Sequence, residues 1–157
     1  MPYIHLTTFI AAPAEKVFDL SRSINLHKIS MRSSNEEAVG GVTSGLIKEN
    51  ETVTWKAKHL FKTRLYTSKI TSMNAPEMFV DEMVKGDFKS FRHQHYFKQI
   101  GNGTILIDIV DFDSPYGFIG KMLNKFHLKK YVQNLLIKRN DVVKEYAESN
   151  KWQFVLN

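Results

Sequence analysis

The sequence of 157 residues contains no cysteine and no apolar run long enough to span a membrane. Without cysteine the chain forms no disulfide and has no thiol chemistry, which fits a reducing cytoplasm. The N-terminal segment also lacks the basic flank and the apolar core of a signal peptide. We therefore predict a cytoplasmic protein.

Several catalytic signatures are missing as well. The sequence has no glycine-rich phosphate loop, no nucleophile elbow and no helix with paired metal-binding histidines. These absences argue against the nucleotide-binding, hydrolase and metalloprotease classes that such motifs identify. We expect neither a cofactor nor a resident metal.

The overall composition is that of an ordinary globular domain, with 43% hydrophobic and 24% charged residues. At this length a single domain spanning residues 1–157 is the simplest organisation. The net charge of +6 permits weak contact with anionic membranes. We interpret it as a solvated lysine-rich surface and expect no specific nucleic acid partner; nothing in the sequence indicates an oligomeric state.

The longest periodic segment runs from Pro115 to Glu148, with apolar residues mostly three, four or seven positions apart. This spacing predicts an amphipathic helix, and Ser114 before Pro115 is a helix start signal. Such a helix would be roughly 48 Å long, so it needs a long apolar surface to lie on. Its predicted polar face carries Lys121, Lys125, Lys129, Lys130, Lys138, Arg139 and Lys144.

Upstream of this helix, the pattern predicts one strand, two short helices and then six strands separated by turns. The short helices are expected after Ala12-Pro13 and over Ser23–Ile29, and residues 30–44, which lack periodicity, are a candidate lid. The predicted strands are Tyr3–Ala11, Leu46–Lys48, Thr52–Phe61, Arg64–Met73, Met78–Val84, Phe88–Ile100 and Thr104–Asp113.

This order predicts an α+β helix-grip fold, in which a curved antiparallel sheet of about seven strands wraps around the long C-terminal helix. A strongly twisted sheet curls, and a helix held in its concavity does not fill it. We therefore expect a cavity between the sheet and the helix.

The last hairpin suggests which side chains face that cavity. Asn102-Gly103 predicts a two-residue turn, which would place Phe97 opposite Asp108 and His95 opposite Val110. The opposite face mixes Arg and Lys with isoleucines, so we take the face richer in aromatics as concave. That face carries Phe91, His93, His95, Phe97, Leu106, Asp108, Val110 and Phe112.

A carboxylate in such a place is costly unless it is paired, and His95 would be the diagonal neighbour of Asp108. Three interpretations stay open: a structural network, polar anchors for an apolar ligand, or an acid–base or metal site using His93, His95 and Asp108. His59, on the Trp55 face, could join them. Whether Asp81 or Glu82 also points inward is not fixed by the sequence.

The predicted ligand-binding set combines the concave face with the helix. It consists of Trp55, His59, Phe91, His93, His95, Phe97, Leu106, Asp108, Val110, Phe112, Met122 and Phe126.

Several segments resemble a known superfamily. They are Ala12-Pro13 with Val17-Phe18, Leu26-His27, Gly41 to Gly45, Val53-Thr54-Trp55, Phe79 to Glu82, Phe91-Arg92-His93, Gly103-Thr104 with Asp108, Pro115, and Tyr131 through Arg139-Asn140. The chain resembles the SRPBCC superfamily, also described as START-like or birch-pollen-allergen-like. The small bacterial ligand-binding members labelled cyclase/dehydrase or cell division inhibitor are the most similar.

The resemblance covers nearly the whole chain and implies a helix-grip fold with a deep cavity for a hydrophobic or lipid-like molecule. Phe91 stands where this group often has Trp, and Lys62 stands where it often has a small residue. The expected function is binding or carrying such a molecule. The alternatives are a polyketide cyclase/dehydratase-type enzyme using a His/Asp pair in the cavity, or a regulator that binds a macromolecule through the basic helix face.

Overall fold

The computed structural model describes residues 3–59, 61–115 and 125–156. Within them it confirms the predicted class: one seven-stranded antiparallel sheet, two short helices after the first strand and a long helix near the C-terminus. The strands are β1 Tyr3–Ile10, β2 Glu37–Gly41, β3 Thr52–His59, β4 Lys62–Asn74, β5 Met78–Lys85, β6 Phe88–Ile100 and β7 Gly103–Pro115. The helices are α1 Ala14–Ser21, α2 Ile24–Ser30, α3 Lys125–Glu148 and α4 Gln153–Leu156, with single 3₁₀ turns at Arg32–Ser34 and Asn150–Trp152.

The sheet has the strand order β1-β7-β6-β5-β4-β3-β2. The first strand therefore pairs with the last, and the meander from β2 to β7 follows the chain. Ser23 caps α2, because its hydroxyl accepts a hydrogen bond from the Leu26 N–H at 3.1 Å. None of the helices in the described ranges is both long and apolar enough to cross a membrane.

Two predicted boundaries are wrong. The second strand is not Leu46–Lys48; it is β2, inside the segment predicted to be a loop, and Leu46 forms only an isolated bridge with Ser23. The strand was missed because its glycines resemble those of a loop. Gly41 is needed there, because it has a φ of 69° and a Cβ would lie 2.2 Å from the Thr52 carbonyl oxygen.

The long helix does not begin at Pro115, because that residue still belongs to β7 and pairs with Phe88. The predicted turns of this helix over residues 116–124 lie outside the described residues. Its C-terminal end at Glu148 is confirmed.

The predicted hairpin register is off by two residues. His95 lies opposite Asp108 and Phe97 opposite Leu106, so the central residues of the turn are Gly101 and Asn102. Gly101 takes the positive φ of 58°, whereas Gly103 starts β7 with the Phe9 ring 2.7 Å from where a Cβ would be. Because side chains alternate with a period of two, a shift of two residues leaves each on its predicted face.

The helix α3 lies along the concave face of the sheet. Its buried apolar residues recur at helical spacing and pack into two clusters formed with β1, β3, β6, β7 and the short helices. They are Leu128, Val132, Leu136, Val143 and Ala147. The two clusters leave space between α3 and the middle strands, and the candidate site lies there.

Candidate ligand-binding cavity

A cavity of about 280 Å³ lies between strands β3 to β6 and the helices α2 and α3. Most of its wall is apolar, as is usual for sites that bind small molecules. The apolar lining includes Ile24, Met31, Ile47, Val53, Trp55, Ala57, Ile70, Phe79, Phe88, Phe91, Leu128, Val132 and Leu136. Against this background the polar side chains form two separate clusters.

The first cluster is built around the carboxylate of Asp108, which is 0% exposed. His93 donates from Nε2 to its Oδ1 at 2.7 Å, Arg139 donates to the same oxygen at 3.1 Å, and Asn140 donates to Oδ2 at 2.7 Å. Burial alone would raise the pKa of Asp108, but the His93 hydrogen bond and the Arg139 charge lower it. The carboxylate is therefore ionised and fully partnered.

A second carboxylate, Asp81, joins this cluster from β5. Its Oδ2 accepts a hydrogen bond from His95 Nε2 at 2.6 Å, and its Oδ1 accepts one from the Ser68 hydroxyl at 3.3 Å. Asp81 thus points into the cavity, whereas its neighbour Glu82 lies 3.6 Å from Arg92 and does not line it. This settles the choice that the sequence left open.

His95 is held in one tautomer by its neighbours. Arg139 Nη2 lies 3.3 Å from His95 Nδ1, and since a guanidinium only donates, Nδ1 accepts and Nε2 carries the proton toward Asp81. Burial, together with the neighbouring His93, lowers the pKa of His95 to about 3, although the hydrogen bond to Asp81 opposes this shift. The His93 and His95 rings stack at 3.6 Å, and Phe79 stacks on the other side of His95 at 4.0 Å.

The second cluster lies elsewhere on the cavity wall and joins α2, β3 and α3. Glu36 accepts a hydrogen bond from His27 Nε2 at 2.9 Å and lies 3.4 Å from His59 Nε2, and His59 Nδ1 is 2.7 Å from the Tyr131 hydroxyl. Burial would raise the pKa of Glu36, but the hydrogen bonds from His27 and His59 prevail and lower it to about 2. The ring of His27 also packs on Trp55, with centroids 4.3 Å apart.

Two buried hydroxyls belong to cavity-lining residues and lack a hydrogen-bond partner within the described ranges. They are Ser21 Oγ and Tyr66 Oη. Burial, with the nearby Asp81 charge, raises the pKa of Tyr66 well above its usual value, so its hydroxyl keeps its proton. An unpaired buried hydroxyl lowers the free energy of unfolding by about 1–3 kcal/mol.

The structure brings five of the predicted ligand-binding residues to the cavity: Trp55, His59, Phe91, His93 and His95. His59 belongs to the Glu36 cluster and does not join His93 and His95. Five more lie in the packed core behind the wall, so their assignment to a ligand-contacting surface is corrected: Phe97, Leu106, Asp108, Val110 and Phe112. Four of them pack in the two apolar clusters, and Asp108 is held by its hydrogen bonds.

The two predicted helix residues do not join the site. Phe126, in the first described turn of α3, is 70% exposed, because Leu128 occupies the buried side of that turn. Met122 lies outside the described residues.

Arg139 and Asn140 were missed as site residues, and Arg139 was wrongly placed on the polar face of the helix. Arg139 is 6% exposed and lines the cavity. A signal was present, because these residues follow Val132 and Leu136 and precede Val143 at the spacing of the buried stripe. Glu36, within the presumed lid segment, gave no comparable signal.

A metal ion would find three ligands at the cavity wall, since donor atoms of Asp81, His93 and His95 lie within 4.8 Å of one another. However, the His95 nitrogen in this set already donates its proton to Asp81, and its other nitrogen faces the Arg139 guanidinium. A cation would have to displace that proton beside a positive charge, so the chemistry of this set fits a hydrogen-bonded network better than a metal site.

The basic face of α3 is partly neutralised. Lys144 donates to the Phe9 carbonyl and to Glu148, and Lys138 donates to the Ser33 hydroxyl. With Arg139 turned inward, fewer cations remain for a partner than the helical spacing suggested.

No protein-family model matches the chain, and no curated protein matches its sequence. Its structure is similar to an aromatase/cyclase, Zhui, from a Streptomyces species, with a TM-score of 0.74, 12% identity and 93% of each chain covered. A START superfamily protein from Mycobacterium smegmatis has a TM-score of 0.70 and 13% identity, covering 93% of this chain and 97% of that one.

A further similar structure is the major latex-like protein 151 of Panax ginseng, with a TM-score of 0.69, 11% identity and coverage of 94% and 97%. At such identities structural likeness establishes the fold and leaves the function to the site. The chain therefore has the same helix-grip fold as these three proteins.

Proposed function

We propose that this protein binds a small, largely apolar molecule in the cavity between the sheet and α3. The observation that carries this proposal is the cavity of about 280 Å³ itself, whose largely apolar wall includes Trp55, Phe79 and Phe91. A largely apolar ligand would cover this aromatic wall and remove it from water. The likeness to a START superfamily protein supports the same function.

The arrangement of the first cluster supports binding over catalysis. A general acid or base works best when its pKa is near the working pH. The pKa of His95 is lowered to about 3, and those of Asp81 and Asp108 are lowered as well. Near neutral pH His95 is therefore neutral and both aspartates are ionised, and these constant protonation states suit a rigid anchor for a ligand.

Native mass spectrometry of the freshly purified protein tests the proposal. We expect a fraction of the protein to carry extra mass from a small molecule that organic solvent extracts. The matched variant is Ala57→Phe, which adds a ring at a buried position of the cavity wall, and we expect it to lose the extra mass. Retention of the same molecule by this variant would place the binding elsewhere and contradict the proposal.

The second candidate is a cyclase-type enzyme, favoured by the position of His93 between two carboxylates. Its Nε2 bonds to Asp108, and its Nδ1 lies 3.9 Å from Asp81 Oδ2, beyond hydrogen-bond distance. Incubation with a linear poly-β-ketone analogue, followed by mass spectrometry for loss of water, tests this candidate. Loss no faster than in buffer, from a compound shown to bind, would reject it.

A further inference from the structure

The second polar cluster is not needed to hold the first one in place, yet it lies on the same cavity wall. Glu36, His59 and Tyr131 line the cavity and form a chain of contacts from carboxylate to imidazole to phenol. The Tyr131 hydroxyl lies 2.7 Å from His59 Nδ1, and the two rings pack edge to face with their centroids 6.0 Å apart. The phenol is thereby held in one orientation at the wall.

The protons in this chain can be assigned from its contacts. The pKa of Glu36 is lowered to about 2, so Glu36 is a carboxylate and His59 Nε2, which faces it, carries a proton. In the tautomer with its proton on Nε2, His59 Nδ1 accepts, and the Tyr131 hydroxyl donates to it. Burial and the Glu36 charge raise the pKa of Tyr131, which keeps the phenol protonated. The Tyr131 oxygen is left to accept a hydrogen bond from the cavity.

The first cluster also presents an acceptor. The side chain of Asp81 is 20% exposed, and its two described hydrogen bonds come from His95 and the Ser68 hydroxyl, so its oxygens can accept more. Tyr131 in one cluster and Arg139 in the other are eight residues apart on α3, which corresponds to about 12 Å along the helix axis. Tyr131 and Asp81 both line the cavity, so one ligand held there can meet an acceptor from each cluster.

The cations on the wall are already engaged. Arg22 pairs with Asp19 at 2.8 Å, and Arg64 pairs with Asp87 at 2.7 Å. Arg139 donates to Asp108. An anionic ligand would therefore meet the carboxylates of Asp81 and Glu36 without a free cation in the described part of the wall.

We propose that Tyr131 and Asp81 are two anchors for one ligand: an uncharged aromatic molecule with two hydroxyl donors. This inference deepens the proposed function and rests on it. It excludes fatty acids and other carboxylates as the preferred ligand class.

The experiment compares four rigid probes by isothermal titration at pH 8, where an ordinary imidazole is neutral. The probes are trans-stilbene, 4-hydroxystilbene, 4,4′-dihydroxystilbene and stilbene-4,4′-dicarboxylate. Each correctly placed hydroxyl should tighten binding about 5- to 10-fold, as expected for one net hydrogen bond. We expect the dihydroxy probe to bind most tightly and the dicarboxylate to bind more weakly than the parent hydrocarbon.

The variant Tyr131→Phe removes the proposed acceptor oxygen together with its hydrogen bond to His59 Nδ1. It should weaken the dihydroxy probe about 5- to 10-fold, to the affinity of the monohydroxy probe, and leave trans-stilbene unchanged. The matched control is Tyr146→Phe, at a partly buried tyrosine of α3 outside the cavity lining, and it should change none of the four affinities.

The outcomes separate this inference from the proposed function. Equal affinity of the hydroxylated probes and trans-stilbene, preference for the dicarboxylate, or an equal effect of Tyr131→Phe on all probes would overturn the two-anchor inference while binding in the cavity stands. If no probe binds, and native mass spectrometry also finds no bound molecule, the proposed function fails and the inference falls with it.

Discussion

His93 and His95 each bond to a carboxylate that is not their direct neighbour across the sheet. His95 lies opposite Asp108 but bonds to Asp81, and His93 lies opposite Asp81 but bonds to Asp108. The crossed pairing works because diagonal neighbours on adjacent strands are within reach of long side chains. It ties β5, β6 and β7 together beneath the cavity and fixes both rings by stacking.

The first prediction concerns the buried charge pair in this arrangement. Asp108→Ala should lower the free energy of unfolding by about 3–5 kcal/mol, because it leaves Arg139 buried without its carboxylate. The double variant Asp108→Ala with Arg139→Met should cost less than the sum of the two single changes. Urea denaturation measures all three, with Asp111→Ala, on the opposite face of β7, as the control. Strict additivity would show that the pair is not coupled.

The second prediction concerns acid stability. The pKa of Glu36 is lowered from its ordinary value of 4.5 to about 2 in the folded protein, where His27 and His59 donate to the carboxylate. A lowered carboxyl pKa contributes stability above the unfolded pKa, and this contribution is lost as the pH falls from about 4.5 toward 2. Glu36→Gln should therefore be less stable than the parent at pH 6, and the difference should shrink between pH 5 and pH 3.

Denaturant titrations at several pH values check this expectation. The comparison with the variant is needed because His95, with a folded pKa of about 3, also reduces stability as the pH falls below its ordinary value. That effect is common to both proteins and cancels in the difference. A stability difference that stays constant from pH 6 to pH 3 would contradict the assignment for Glu36.

The third prediction concerns the basic face of α3. We expect only weak nucleic acid binding at physiological salt, with an affinity that falls steeply as salt rises. The reason is that Lys144 is paired with Glu148, Lys151 with Glu145, and Arg139 is buried. Fluorescence anisotropy with a short duplex measures this. Submicromolar, sequence-selective binding would show that the face is a true interface.

The sequence was sufficient for the fold because its signals are local and repeated. Period-two alternation predicted the long strands, and helical spacing predicted most of α3. The hairpin turn was misplaced by two residues because Gly101 and Gly103 flank Asn102 symmetrically, and the strand packing on Phe9 decides between them. The prediction of which side chains face inward is still correct, because a shift by an even number of residues leaves each side chain on the same face.

The site was less predictable because its contacts join distant elements. In the sequence Arg139 resembles the other cations of a lysine-rich helix. Its side chain points inward because it donates a hydrogen bond to the buried Asp108 carboxylate. Glu36 lies in a segment without periodicity. Its partners His27 and His59 come from α2 and β3, and Tyr131, which contacts His59, comes from α3. Short-range sequence patterns do not predict contacts between residues that are far apart in the sequence.

The central claim is that the cavity holds a small apolar molecule, and a titration with the neutral probe N-phenyl-1-naphthylamine tests it most directly. The parent protein should bind one probe saturably and, at 100 times the dissociation constant, gain about 2.7 kcal/mol of stability. Ala57→Phe, checked to be folded by circular dichroism, should bind at least about 10-fold more weakly, which corresponds to 1.4 kcal/mol. Equal affinity of the two proteins, or no saturable binding by the parent, would contradict the account.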